Sequence, residues 1–238
     1  MITSNETLPN TSPRFIHLLT DKFIELHGDR IQWDDKSICG GLAWIEGKKF
    51  ILISHQALTN HSSEDAGKQI GLRKITRLLS IAKQLKRPVL IMISETQSTT
   101  QSKERLTFNS IDAIIQNVRI MSHLPVPIIE VLSENSGIID SIALAIADCI
   151  IAPHSLEVLV KEILNLGSKT VVDSDKINNK SESSQISELI HTVFIDNVEM
   201  IPTLRQVLPV KIDEFMSVPA NDLISRRIAK IQQLSCLS

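Results

Sequence analysis

Glycine is scarce in this chain: 8 residues in 238, roughly half the usual share of about 7%. Few positions therefore let the backbone approach a ligand closely. Tyrosine is absent altogether. The three cysteines, Cys39, Cys149 and Cys236, are odd in number and far apart, without the paired spacing that builds a zinc site, so no metal is expected and a reducing compartment is. The longest apolar runs, residues 88–93 and 138–147, fall well short of the about 20 residues of a membrane span. The polar start, MITSNETLPNTSPRF, lacks the basic-then-apolar order of a signal peptide. A soluble cytoplasmic protein is the expectation. The formal net charge of −2 and pI near 6.4 provide no overall pull toward nucleic acid or an anionic membrane. No Walker sequence, dinucleotide glycine fingerprint or Gly-x-Ser-x-Gly elbow is present, which removes kinase, GTPase, dehydrogenase and ordinary serine-hydrolase chemistry.

What remains is ordinary globular material. Hydrophobic residues make up 42% and charged residues 22%, enough for a sizeable core in one large domain. Residues 1–13 are rich in Thr, Asn, Ser and Pro and predict a mobile arm; residues 14–238 are assigned to a single domain. The apolar rhythm of Phe15, Ile16, Leu19, Phe23, Ile24 and Leu26 predicts a helix over 15–26. Two β-like runs, 37–45 and 49–55, flank Glu46-Gly47-Lys48 and predict a hairpin. Residues 67–86 predict an amphipathic helix with a buried apolar stripe and a solvated basic face of Lys68, Arg73, Lys74, Arg77, Lys83 and Lys86. Strand 89–93, helix 109–123, strand 126–132, helix 138–147 and strand 149–152 follow. Such alternation argues for a largely parallel sheet with helices outside. Residues 173–185 predict a mobile polar loop, and 186–194, 202–208 and 220–234 predict closing helices. His55, His61 and His123 read as ordinary histidines.

Several blocks carry a resemblance. Glu25-Leu26-His27-Gly28-Asp29-Arg30 leads into Asp34-Asp35-Lys36-Ser37-Ile38-Cys39-Gly40-Gly41-Leu42-Ala43 and then Ile53-Ser54-His55-Gln56. Further along stand Arg73-Lys74-Ile75-Thr76-Arg77-Leu78-Leu79, Asn117-Val118-Arg119-Ile120-Met121-Ser122, and Asp222-Leu223-Ile224-Ser225-Arg226-Arg227. Together they resemble the carboxyltransferase α subunit of bacterial acetyl-CoA carboxylase over nearly the whole chain. The resemblance implies an α/β crotonase-like (ClpP/crotonase) fold of ββα units with flanking helices. It implies an α2β2 assembly with a β-like carboxyltransferase subunit that carries the zinc ribbon. The family moves a carboxyl group from carboxybiotin to acetyl-CoA, a reaction with two oxyanions to stabilise: the thioester enolate and the biotin ureido oxygen. Backbone N–H donors at helix N-termini suit both. By position, the backbone N–H groups of Gly137 and Ile138 are the candidate donors, and Gly40, Gly41, His55, Gln56 and Thr96 are candidate substrate-binding residues. Gly40-Gly41 reads equally as a hairpin bulge without a ligand.

The chain departs from the family at the ligand-facing loops. The family's Gly-Glu-Gly-Gly-Ser-Gly-Gly falls on Glu134-Asn135-Ser136-Gly137-Ile138-Ile139-Asp140, where one glycine of five survives. A branched side chain and a carboxylate, Ile139 and Asp140, stand where an anion is held, and a carboxylate repels a developing oxyanion. Glu95-Thr96-Gln97-Ser98-Thr99-Thr100-Gln101-Ser102 replaces a loop rich in glycine and proline. Three functions stay open: carboxyl transfer with a changed donor set; enolate chemistry on an acetyl or malonyl thioester, including decarboxylation, without biotin; and a pseudoenzyme that stabilises or regulates a β-like partner. No cofactor is expected on this chain alone. The acyl group is carried by CoA or by the phosphopantetheine of an acyl carrier protein.

Overall fold

The computed structural model describes residues 13–28, 34, 38–56, 64–94, 108–132, 146–157, 191–195 and 200–235. Helix α1 (Pro13–Leu19) leads into strand β1 (Lys22–Glu25). Strands β2 (Ile38–Ile45) and β3 (Lys48–Gln56) form a hairpin, followed by α2 (Glu64–Leu85), β4 (Val89–Ser94), α3 (Phe108–Ser122) and β5 (Ile128–Leu132). Strand β6 (Cys149–Pro153) runs into a short 3-10 turn, and β7 (His191–Ile195), α4 (Met200–Met216) and α5 (Ala220–Ser235) close the described chain.

The seven strands make one sheet in chain order, β1 to β7. The first three pair antiparallel and β3 to β7 pair parallel. Two antiparallel steps restore direction, so β1 points the same way as β3 to β7. Alternation along β3 divides the core. Phe50 and Leu52 join α1 and the buried stripe of α4, Leu204, Leu208, Ile212 and Phe215, on one face. Ile51 and Ile53 join Leu78, Leu79 and Ala82 of α2 and Met121 of α3 on the other. The result is three layers, helix, sheet and helix, with parallel strands buried on both faces, which is why β4 and β5 read as continuous apolar runs.

Local chemistry sets the element ends. The β2–β3 turn is Glu46-Gly47, with φ of 47° and 74°, the left-handed pair that matches strand twist in a two-residue hairpin. Helix α2 stops where Lys86 turns left-handed, with φ 49°. The Arg87 N–H donates back to the Ala82 carbonyl, and Pro88 cannot continue a helix.

Three expectations are corrected. The helix over 15–26 ends at Leu19, because Phe23 and Ile24 belong to β1, paired residue by residue with Ala43 and Leu42. The expected closing helix 186–194 contains a strand instead: Thr192, Val193 and Ile195 are β-branched and pair along β6. Lys74 is not on a solvated face but wholly buried. The helix begins at Glu64, a turn earlier than its periodicity suggests, and α4 extends from Met200 to Met216 through Pro209. Of the arm expected over 1–13 and the helix expected over 138–147, residues 1–12 and 138–145 lie outside the described residues, as does the polar loop over 173–185, while Pro13 begins α1.

Gly40 and Gly41 lie within β2 on an unbroken register with β3, so they form no bulge. A Cβ on Gly41 would stand 2.0 Å from the Ile24 carbonyl oxygen, and one on Gly40 would stand 2.4 Å from a Leu78 methyl and 2.9 Å from the Leu52 carbonyl oxygen. The close approach these glycines permit is therefore between strand, neighbouring strand and helix. Gly41→Ala forces backbone apart and is expected to lower unfolding free energy by ~1–3 kcal/mol, the usual cost of overpacking. Urea denaturation checks this. An unchanged midpoint contradicts the packing.

Candidate functional site

The parallel strands define an edge. The C-terminal ends of β1, β3, β4, β5, β6 and β7 all lie on one side of the sheet, together with the start of β2. In open α/β sheets ligands bind outside the carboxyl ends of the strands. The chain leaves this edge into residues 57–63, 95–107 and 133–145, which lie outside the described residues. His55 and Gln56 are the last two residues of β3, where His55 pairs with Ile38 and Ile93 and Gln56 pairs with Ser94. Thr96, Gly137 and Ile138 lie outside the described residues, the first two residues beyond β4 and the others just beyond β5. Gly40 and Gly41 are on β2 behind the same edge, covered by Leu78 and Ile24.

A polar cluster stands at this edge. The Lys74 ammonium, carried inward by α2, donates to Asp34 Oδ1 at 2.8 Å and to the Ile38 carbonyl at 2.6 Å, and lies 3.8 Å from Glu25. His27 Nδ1 is 2.8 Å from Asp34 Oδ2, and the Gly28 N–H donates to Asp34 Oδ1. Arg77, one turn further along α2 (i+3), donates to the Leu26 and His27 carbonyls. The Glu-Leu-His-Gly block and the Arg-Lys-Ile-Thr-Arg block thus hold each other. Burial alone raises the Asp34 pKa, but hydrogen bonds from Lys74, the Gly28 N–H and His27 outweigh it and hold the carboxyl at about 2. Glu25, His27 and Asp34 bring donor atoms within 4.8 Å of one another, and the cation held among them is the Lys74 ammonium.

The second cluster is at the opposite edge. Arg227 of α5 is fully buried. Its guanidinium pairs with Asp148 through both Nε and Nη2. It also donates to the carbonyls of Met121, Leu124 and Val126. Asp148 Oδ2 accepts from the Ile128 N–H at 2.8 Å, so one ion pair joins α5, the end of α3 and the starts of β5 and β6. Beside it Lys230 donates to the Ala147 carbonyl at 2.6 Å, and burial depresses its pKa to about 8. A third clamp lies at the hairpin: Arg205 of α4 joins Asp21, Glu46 and the Leu19 carbonyl.

Neither described thiol is a nucleophile. Burial pushes Cys39 and Cys149 up to about 12, so both are protonated at neutral pH. Asp148, Lys230 and the pairing of Lys74 with Asp34 escaped sequence reasoning, as did Glu130, a buried carboxylate on β5 aligned with Ile91 and Ile150. Partners 40 and 79 residues apart leave no local signal.

Among the described residues a mostly parallel sheet of seven strands, covered by helices on both faces, is the mixed α/β architecture of the crotonase-fold carboxyltransferases. The crystal structure of transcarboxylase 12S superposes with a TM-score of 0.51 at 16% identity, covering 83% of this chain and 40% of that one. Residues 3–157 match the family described as acetyl co-enzyme A carboxylase carboxyltransferase-like, and the chain belongs to that family. The acetyl-coenzyme A carboxylase carboxyl transferase subunit alpha of Exiguobacterium sibiricum is 26% identical over 94% of this chain and 78% of its own. The protein of the same description from Clostridium acetobutylicum is 28% identical over 94% of this chain and 89% of its own. Among the described residues no helix is long and apolar enough to cross a membrane.

The Asp34 cluster gives a pH prediction. A carboxyl whose pKa falls from 3.8 unfolded to about 2 folded adds stability that is complete above the unfolded value and lost as pH falls through the folded one. Asp34→Asn is expected to flatten the loss of stability between about pH 4 and pH 2, read by urea titration at each pH. Parallel losses in both proteins contradict the linkage.

Proposed function

We propose that this chain is an α-subunit-like component of a heteromeric carboxyltransferase-type complex, and that the complex carries out enolate chemistry on a malonyl or acetyl thioester without biotin. The observation that carries this reading is the split between frame and edge. The clamps that position the strand ends are intact, while Ile139-Asp140 stands where the family keeps the glycines of an anion-holding loop. A carboxylate there disfavours a biotin ureido oxyanion on this side of the site. The thioester enolate, held by a β-like partner and with its oxygen reached on this chain only by the Gly137 and Ile138 N–H groups, does not depend on the glycines that Ile139 and Asp140 replace.

The step is decarboxylation. The bond between the malonyl carboxylate carbon and the methylene carbon breaks, its electron pair passes into the thioester enolate, carbon dioxide leaves, and the methylene carbon takes a proton to give the acetyl thioester. Backbone N–H groups fixed at the site stabilise the enolate oxygen, because fixed dipoles need no reorganisation as charge develops. On this chain the Gly137 and Ile138 N–H groups are the donors that adjoin the reacting centre, while Gln56, Thr96 and His55 border the acyl carrier. CoA and the phosphopantetheine of an acyl carrier protein present the same thioester.

Co-expression with a β-like partner, followed by mass spectrometry of acetyl and malonyl thioesters with and without carboxybiotin, tests the reading. The expected result is a stable complex that converts malonyl to acetyl thioester without biotin, at a rate lowered by Gly137→Pro, which removes one N–H donor. Biotin-dependent formation of malonyl thioester contradicts it in favour of ordinary carboxyl transfer. A stable complex with neither reaction contradicts it in favour of a non-catalytic partner.

A further inference from the structure

Beyond β6 the chain makes its 3-10 turn, His154–Leu156, at the same edge as the ends of β3, β4 and β5. The register sets Ile151 beside Val131, so His154 stands two residues past the level at which β5 ends at Leu132. The turn is seated on that strand end: Leu156 and Phe194 pack on the small core of Leu132, Ile150 and Ala152.

Two neighbours orient the His154 ring. The Phe194 ring stacks with it, centroids 6.0 Å apart and planes inclined by 27°, and Glu157 Oε2 lies 3.5 Å from Nδ1. A carboxylate on that side favours the tautomer with hydrogen on Nδ1 and leaves Nε2 as the nitrogen that exchanges a proton. The side chain is 65% exposed, so the Nε2 side of the ring is open at the strand edge. An exposed ion pair contributes little to stability; its effect here is to aim the imidazole.

Decarboxylation leaves an enolate that needs one proton at carbon, and strand order decides which described imidazole is placed to supply it. His154 follows the strand next to β5. His55 ends a strand two places from β5, and His27 follows one four places away. At the usual strand spacing those offsets are roughly 5, 10 and 19 Å. His27 is also held to Asp34, and His123 and His191 lie at the opposite edge.

We infer that His154 is the acid that protonates the enolate carbon, a catalytic residue of the decarboxylation proposed for this edge, on which the inference rests. The Nε2–H bond breaks and its proton passes to the methylene carbon. The enolate π pair forms the new C–H bond, the oxygen's charge returns to the carbonyl double bond, and the imidazole regains a proton from water. In reverse, Nε2 takes a proton from the acetyl methyl group, so the complex exchanges those hydrogens with solvent while the carbon skeleton stays intact.

The test follows that exchange by mass spectrometry, with acetyl thioester in deuterium oxide and the full chain co-expressed with its β-like partner, alongside carbon dioxide release from malonyl thioester. His154→Gln is expected to slow exchange by roughly 10²–10⁴-fold, the usual contribution of a positioned acid–base group, with the complex and its thermal midpoint kept. His154→Ala is expected to regain part of the exchange when imidazole is added, which a histidine that only packs would not show. His123→Gln is expected to exchange as the unaltered complex does. Exchange at the unaltered rate in His154→Gln, or exchange lost in His55→Gln instead, overturns the assignment, while decarboxylation by the unaltered complex keeps the reaction itself. Decarboxylation without any exchange in the unaltered complex overturns the assignment as well. A complex that neither decarboxylates nor exchanges removes the reaction and the assignment together.

Discussion

The ion pair between Arg227 and Asp148 is the constraint on which the rest of the structure depends. Two opposite charges withdrawn from water are held only when every lone pair and proton finds a partner. Here all five Arg227 N–H donors find one, on Asp148 and on the Met121, Leu124 and Val126 carbonyls, and Asp148 also takes the Ile128 N–H. Removing one member of such a pair typically costs ~3–5 kcal/mol, because the other is left charged and buried. A single guanidinium therefore fixes the start of β5, the start of β6 and the exit of α3 relative to the last helix. Those strands carry the chain to the opposite edge.

That arrangement separates two tasks. The near edge, with Arg227, Asp148 and Lys230, holds the frame. At the far edge the Lys74, Asp34, His27 and Glu25 cluster ties the entry of β2 to α2, and beside it the chain leaves the sheet beyond β3, β4 and β5. Three of the blocks that carry the resemblance, Glu25 to Arg30, Arg73 to Leu79 and Asp222 to Arg227, supply clamp residues to one edge or the other. Glycine is scarce, and Gly40 and Gly41 stand where strand, neighbouring strand and helix touch.

Much of the fold was legible in the sequence because its signals are local. Glu46-Gly47 marks a hairpin through the φ its turn requires, Pro88 and the Lys86 turn end a helix, and the apolar runs of β4 and β5 mark strands buried on both faces. Where two periodicities coincide, the sequence misleads. Phe23 and Ile24 continue a helical rhythm from Phe15, and only pairing with β2 makes them a strand; His191 to Ile195 depends on β6 in the same way. The polar clusters were illegible for a related reason. Lys74 looks like one more base on an amphipathic helix until Asp34 is brought to it, and Asp148 is an unremarked acid until Arg227 reaches it.

Amide hydrogen exchange of the full chain tests the central claim most directly. A C-terminal helix without such a tie frays and exchanges by local opening. With Arg227 joined to Asp148 and three carbonyls, the amides of α5 around Arg227 are expected to share the protection of β5 and β6, all opening together in global unfolding. Exchange of α5 at a much lower free energy than β5 and β6 would contradict the account.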